Sequence, residues 1–313
     1  MTRPTNQGQA GSGWRVAGRA AARTAATAIA ATIVFPAIGA GSTAASAAAA
    51  GTAAASAAAH RAGRAAAVGG SLRAWGMNSF GQLGDGTTTN SDTPVKVQLP
   101  AGIRVTSMRA GCGHTLALTT AGHVLAWGYN GDGELGDNTT TNSLTPVKVK
   151  LPPGTKVKAI RAGCRHSLAL TTKGHVLAWG FGGDGELGIG STLSAPEPVR
   201  VTLPKGTKVK GISAGAGHSL AFTGTGRLYA WGFNGDGELG DGTTTNRDTP
   251  VRVKLPKRTK VTLTAAGLGH SLARTSTGKV LAWGDNTDGD LGNGTTTGSL
   301  TAVRVKLPRH TKL

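Results

Sequence analysis

Four regularly spaced histidines among the eight, two cysteines and a series of paired carboxylates are the residues of this 313-residue chain whose types and spacing could do chemistry. Their spacing argues against most of it. His114, His166, His218 and His270 follow one another at intervals of 52 residues, and so do Cys112 and Cys164. Zinc sites draw His and Cys ligands from pairs with two to five residues between them. None of these histidines has a Cys or His partner at such a spacing, so no metal is expected. Each imidazole reads instead as a buried group that satisfies backbone groups in its own unit. The pairs Asp132/Glu134 and Asp236/Glu238 also recur, with no unique neighbour to make one an acid and the other a base. The run from Asp132 to Asp137 has the look of a calcium loop, but the twelfth position, where such a loop needs a glutamate, is Ser143. These acidic stretches therefore read as solvated turns. A residue present in every unit would create four or five copies of one site. Repetition of this kind builds a scaffold, and no catalytic residue or cofactor is expected.

The elements that carry these residues follow the same period. Trp75, Trp127, Trp179, Trp231 and Trp283 are each 52 residues apart, with no insertion or deletion between them. A fixed period of this size is the mark of a solenoid, propeller or array. Within a unit the alternation is that of strands. In Pro146-Val-Lys-Val-Lys-Leu151, Val147, Val149 and Leu151 share one face while Lys148 and Lys150 share the other. Ser167–Thr171 and His175–Trp179 read as two more strands joined by a glycine-containing hairpin turn. The Trp-Gly pairs read as anchors, a large ring filling the space between neighbouring blades. Three or four short strands per unit make one propeller blade, so the expected fold is an all-β propeller.

Charge is uneven. Residues 1–70 contain six arginines and no acid, whereas residues 71–313 contain 28 basic and 15 acidic side chains, a net +13. A basic stretch to Arg23 precedes an apolar run from Thr24 to Ala40, and Ala45-Ser46-Ala47 fits a signal-peptidase site. Residues 1–47 are expected to be a signal peptide and 48–70 an Ala/Gly-rich disordered linker, leaving 71–313 as the repeat domain. The mature chain is then expected outside the cytoplasm, secreted or bound to the wall, with no membrane span. Most of the apolar run is Ala, Gly, Ser and Thr, too weakly apolar to cross a bilayer.

Each unit reads close to A-G-x-x-H-S-L-A-L-T-x-x-G-x-V-x-x-W-G-x-N-x-x-G-x-L-G-x-G, as in Ala162-Gly163-Cys164-Arg165-His166-Ser167-Leu168 and then Gly185-Glu186-Leu187-Gly188. This resembles the repeat of the regulator of chromosome condensation family, whose members resemble seven-bladed propellers. The resemblance covers residues 71–313. It departs from the family at the position before Leu-Gly, where Gln82 is kept but Glu134, Glu186, Glu238 and Asp290 stand in later units. It departs also in number, with about four and a half units and an incomplete ring expected.

Function is best sought in what the units do not share. The position after Trp-Gly is Met77, Tyr129, Phe181, Phe233 or Asp285, a candidate binding face for a protein partner. Arg274 breaks an apolar pattern, and Cys112 and Cys164 can pair only if neighbouring blades bring them close. Cations gather on the Val-rich strand and its following loop: Lys148, Lys150, Lys156, Lys158, Lys208, Lys210, Arg252, Lys254, Lys257, Arg258 and Lys260. They protect a sheet edge, or they gather an acidic polymer or nucleic acid. A secreted, non-catalytic binding or scaffold propeller is the leading reading. The resemblance also implies two narrower roles: inhibition of β-lactamases, as in some propellers secreted by bacteria, and guanine-nucleotide exchange on a small GTPase. The Ala-Gly-x-x-His half occurs four times and the Trp-Gly half five times. Open blade edges that favour self-association are therefore expected.

Overall fold

The computed structural model describes residues 72–309 and 311, which form strands and no helix. No helix long and apolar enough to cross a membrane occurs among them. The regions read as a signal peptide and a linker lie outside the described residues.

The first sheet has two strands, β1 (Arg73–Gly76) and β2 (Ser91–Lys96). Four sheets of four antiparallel strands follow. Blade one holds β3 (Val105–Ala110), β4 (His114–Thr119), β5 (Val124–Gly128) and β6 (Ser143–Lys148). Blade two holds β7 (Val157–Ala162), β8 (His166–Thr171), β9 (Val176–Gly180) and β10 (Ala195–Arg200). Blade three holds β11 (Val209–Ala214), β12 (His218–Thr223), β13 (Leu228–Gly232) and β14 (Arg247–Arg252). Blade four holds β15 (Val261–Ala266), β16 (His270–Thr275), β17 (Val280–Gly284) and β18 (Ser299–Arg304). The first strands lie against one another, β3 on β7, β7 on β11 and β11 on β15. They form the inner rim, and the fourth strands form the outside. The sheets do not close, because β1 and β2 pair only with each other.

Two expectations about strands are corrected. The Val-rich strand runs from Ser143 to Lys148, not from Pro146 to Leu151. Beyond Lys148 the chain leaves the ladder: Val149 is buried and donates to the Val124 carbonyl, and Lys150 donates to that of Gly136. The inner strand Val157–Ala162 has no counterpart among the strands read from the sequence. A register shift between Val157 and Ala159 puts Val157 and Ile160 on the buried side, which erases the alternation that would reveal it.

The core lies between blades rather than within them. Leu116, Leu118 and Val124 of blade one pack with Ile160, Leu177 and Trp179 of blade two, and equivalent clusters fill the other joints. Trp127, Trp179, Trp231 and Trp283 are fully buried, whereas Trp75 is only half-buried. The glycine after each tryptophan is required: Gly128 has φ +102°, and a Cβ there would stand 2.9 Å from the His114 Cα.

Each joint is closed by one carbonyl. The Glu134 carbonyl accepts the Trp179 indole N–H at 2.8 Å and the Ser167 hydroxyl at 2.9 Å, both from the next blade. The Gln82, Glu186 and Glu238 carbonyls receive the equivalent pairs. The histidines belong to the same joints, which corrects the expectation that each serves its own blade. His114 Nε2 meets Ser167 Oγ at 2.9 Å, His166 meets Ser219 at 3.0 Å and His218 meets Ser271 at 2.9 Å. Because each serine gives its proton to a carbonyl, the imidazole must be the donor, so Nε2 carries the hydrogen. Nδ1 is left buried without a partner in all three. Burial pushes these imidazoles down to about 3, about 4 and about 3 respectively, so they stay neutral. His270, in the last blade, is half-buried, with Nδ1 3.8 Å from Asp290 Oδ2.

Candidate functional site

Antiparallel pairing sends alternate connections to opposite ends of the blades, and this sorts the charges. The turns between first and second strands and the long turns after Trp-Gly emerge at one end. That end collects 12 of the 15 acids. The hairpins between second and third strands and the links from blade to blade emerge at the other, which collects most of the cations.

The long turns are built around a buried asparagine, a role that the sequence reading did not assign. Asn130 Nδ2 donates to the Thr139 and Thr141 carbonyls at 3.1 and 3.0 Å, while its Oδ1 accepts from Leu135 N at 2.8 Å. Asn78, Asn234 and Asn286 do the same work, and Gly182 stands in that place in the long turn of blade two. The glutamates are not solvated, which is a further correction. Glu134, Glu186 and Glu238 are buried, and each accepts the backbone N–H two residues earlier, at 2.9 Å. Gln82 makes the same bond to Phe80 N. That bond needs one side-chain oxygen, which Gln and Glu supply equally. Burial then pushes the Glu134 carboxyl up to about 7 and that of Glu186 up to about 8.

The candidate binding residues Met77, Tyr129, Phe181, Phe233 and Asp285 all stand at this end, each half-buried. The structure gives two of them, Phe181 and Tyr129, partners that were not singled out, Arg165 and Phe80. Arg165 Nε donates to Asp132 Oδ2 at 2.9 Å, and its guanidinium lies 4.2 Å from the centre of the Phe181 ring. Tyr129 meets the exposed Phe80 edge-on at 5.1 Å. Asp285 accepts the Thr287 N–H at 3.0 Å within its own turn. Arg165 could have been found: other units have Gly113, Gly217 and Gly269 there. Cys112 and Cys164 are joined by a disulfide across blades one and two, with Cα atoms 4.4 Å apart. Arg274 is half-buried at the apolar position where it was noted.

At the opposite end all eleven candidate cations are exposed. Only Lys148 and Arg252 lie on outer strands, so edge protection does not account for the group. Lys158 and Lys210 sit on inner strands, and the others lie on the stretches between. A cleft of about 270 Å³ is lined by Arg227, Arg252, Lys254, Lys257 and Arg258. Arg258 has φ 61° at the position where earlier units have Gly102, Gly154 and Gly206. A left-handed arginine costs about 1–2 kcal/mol. Among the described residues no group of three or more His, Cys, Asp or Glu is placed to hold a metal ion.

The family model described as RCC1-like domain matches residues 7–313. The chain is 33% identical over 245 residues to the ultraviolet-B receptor UVR8 of Arabidopsis thaliana, covering 78% of this chain and 56% of the receptor. It is 36% identical over 239 residues to the E3 ubiquitin-protein ligase HERC2 of Homo sapiens, covering 76% of this chain and 5% of the ligase. The chain therefore spans about half of the first relative and a small part of the second. The structure of yeast RCC1 (Prp20) bound to Kap60 superposes with a TM-score of 0.66 at 25% identity, covering 77% of this chain and 58% of that one. Human WBSCR16 gives 0.68 at 24%, covering 76% and 63%, a likeness of fold. These relatives are eukaryotic.

Proposed function

The chain belongs to the RCC1-like domain family, and from that premise we propose that it is a non-catalytic propeller that holds a protein partner against the aromatic and acidic end of its blades. The arrangement of Arg165, Asp132 and Phe181 carries this reading. It occurs once among the described residues, and the Arg165 side chain is 51% exposed. An arginine stacked on an aromatic ring and pre-oriented by a carboxylate is a typical interface anchor, because little freedom remains to be lost on binding. The yeast relative bound to Kap60 supports binding as the mode of action. A second reading, capture of an acidic polymer, is favoured by the strained Arg258 in its basic cleft.

One experiment separates them. Immobilised mature protein is compared with two double variants, Arg165→Ala/Phe181→Ala and Lys257→Gln/Arg258→Gln. Loss of a captured protein with the first variant only is the expected result, by about tenfold or more in affinity for an anchor pair. Loss with the second variant only, abolished by salt, would transfer the function to the basic end.

The reading also places the protein outside the cytoplasm. The Cys112–Cys164 bond supports this, since such bonds persist in oxidising compartments. N-terminal sequencing of exported material is expected to begin near Ala48. Soluble cytoplasmic protein that retains Met1 would contradict export.

A further inference from the structure

At the inner rim the first strand of each blade has no further strand beside it. Two of these strands carry arginine at the same register. Arg109 in β3 stands opposite Leu116, and Arg161 in β7 stands opposite Leu168. Blades three and four have Ser213 and Ala265 at this place. Ser213 is occupied, with its hydroxyl 2.8 Å from both the carbonyl and the hydroxyl of Thr264. The arginines have no comparable partner. Each donates one Nη1 to the carbonyl of the residue before it, at 2.6 and 2.8 Å. A guanidinium has five donors, and no ion pair joins either arginine to a carboxylate among the described residues.

No carboxylate lies on the inner strands. All 15 lie among the described residues: 12 in the turns after Trp-Gly and the other three, Asp92, Glu197 and Asp248, on outer strands. Burial lowers both guanidinium pKa values, and the neighbouring Arg109 charge adds to the effect on Arg161. Two half-buried cations side by side with no neutralising group destabilise a fold. The Cys112–Cys164 bond, three residues beyond each arginine, fixes the two strands relative to one another. A planar guanidinium matches two oxygens of a carboxylate or phosphate.

We propose that Arg109 and Arg161 form an oxyanion-binding site at the inner rim of the ring, which takes a carboxylate or phosphate group of a ligand. It is distinct from the exposed cations at the basic end. Partial burial strengthens charge–charge attraction there and weakens screening by salt.

Inorganic phosphate titrated into the full chain in chloride buffer tests the site by calorimetry. One phosphate per chain is expected, with affinity reduced about tenfold by Arg109→Gln or by Arg161→Gln, the scale of one charge-assisted hydrogen bond. Lys257→Gln/Arg258→Gln is expected to change nothing. A glutamate-rich peptide that displaces phosphate assigns the site to carboxylates, and one that does not assigns it to phosphate. In phosphate-free buffer Arg109→Gln/Arg161→Gln is expected to melt no lower than the parent, because it removes a repulsion. Undiminished phosphate binding by that double variant would overturn the proposal. Loss of binding in the Lys257/Arg258 variant would do the same, as would a double variant that melts well below the parent.

Discussion

Trp179→Ala is expected to lower stability by about 3–5 kcal/mol, the range for truncating a fully buried large aromatic side chain. The ring lies between blades one and two, and its N–H is one of two donors to the Glu134 carbonyl. Trp179→Phe keeps most of the packing and leaves that carbonyl to Ser167 alone, so a smaller loss, near 1 kcal/mol plus a packing term, is expected. Trp75→Ala should cost less than Trp179→Ala, since Trp75 is half-buried and no indole bond is seen for it among the described residues. Urea unfolding with hydrogen exchange checks this. Repeat arrays can lose cooperativity at a weakened joint, and exchange protection should fall first on the strands flanking the altered one. Equal losses for Trp75→Ala and Trp179→Ala would show that joints do not carry the stability.

Stability is also expected to peak at about pH 6.5 and to fall on both sides, because two buried groups titrate in opposite senses. His114, His166 and His218 have folded values of about 3 to 4, below the usual 6.5. Their contribution is complete above 6.5 and is lost as pH falls toward 3. Glu134 and Glu186 have folded values of about 7 and 8, above the usual 4.5. Their contribution is complete below 4.5 and is lost as pH rises through 7 to 8. Between 4.5 and 6.5 the two sets nearly offset, with three histidines against two carboxyls. Below 4.5 only the histidines act, so the acid limb is steeper. A tenfold difference in proton affinity between the folded and unfolded chain corresponds to about 1.4 kcal/mol, so the total is on the order of several kcal/mol. Melting temperatures from pH 3 to 9 measure it. Glu186→Gln should flatten the alkaline limb while keeping the turn, since Gln82 makes the same bond. An alkaline limb unchanged by that substitution would remove the carboxyl as its cause.

The repeat, the all-β class and the anchoring tryptophans were legible in the sequence, because a 52-residue period and a period-two alternation are local signals. The inner strand was not, because its register shift hides the alternation. The partners of the histidines were hidden for a different reason. His114 and Ser167 are 53 residues apart, and only the stacking of blades brings them together. Glu134 read as a surface acid, since nothing in its immediate neighbours shows that Asn130 folds the turn over it. The five residues after Trp-Gly do stand together at one end of the blades. The side chain stacked on one of them, Arg165, was marked only by replacing a glycine.

The joints also bear on how such a molecule can change in size. The carbonyl of Glu134, the hydroxyl of Ser167 and the indole of Trp179 lie within 45 residues of one another, and the histidine contact spans 53. A duplicated stretch of one period would therefore bring with it nearly every group needed to seal its own seam. Its neighbours would meet surfaces identical to those they met before. Growth or loss by whole periods is chemically silent at every seam but the one that the Cys112–Cys164 bond crosses, whereas a change of even a few residues inside a period misaligns donor and acceptor. Blade number is thus a loosely held trait of this architecture, and period length a tightly held one.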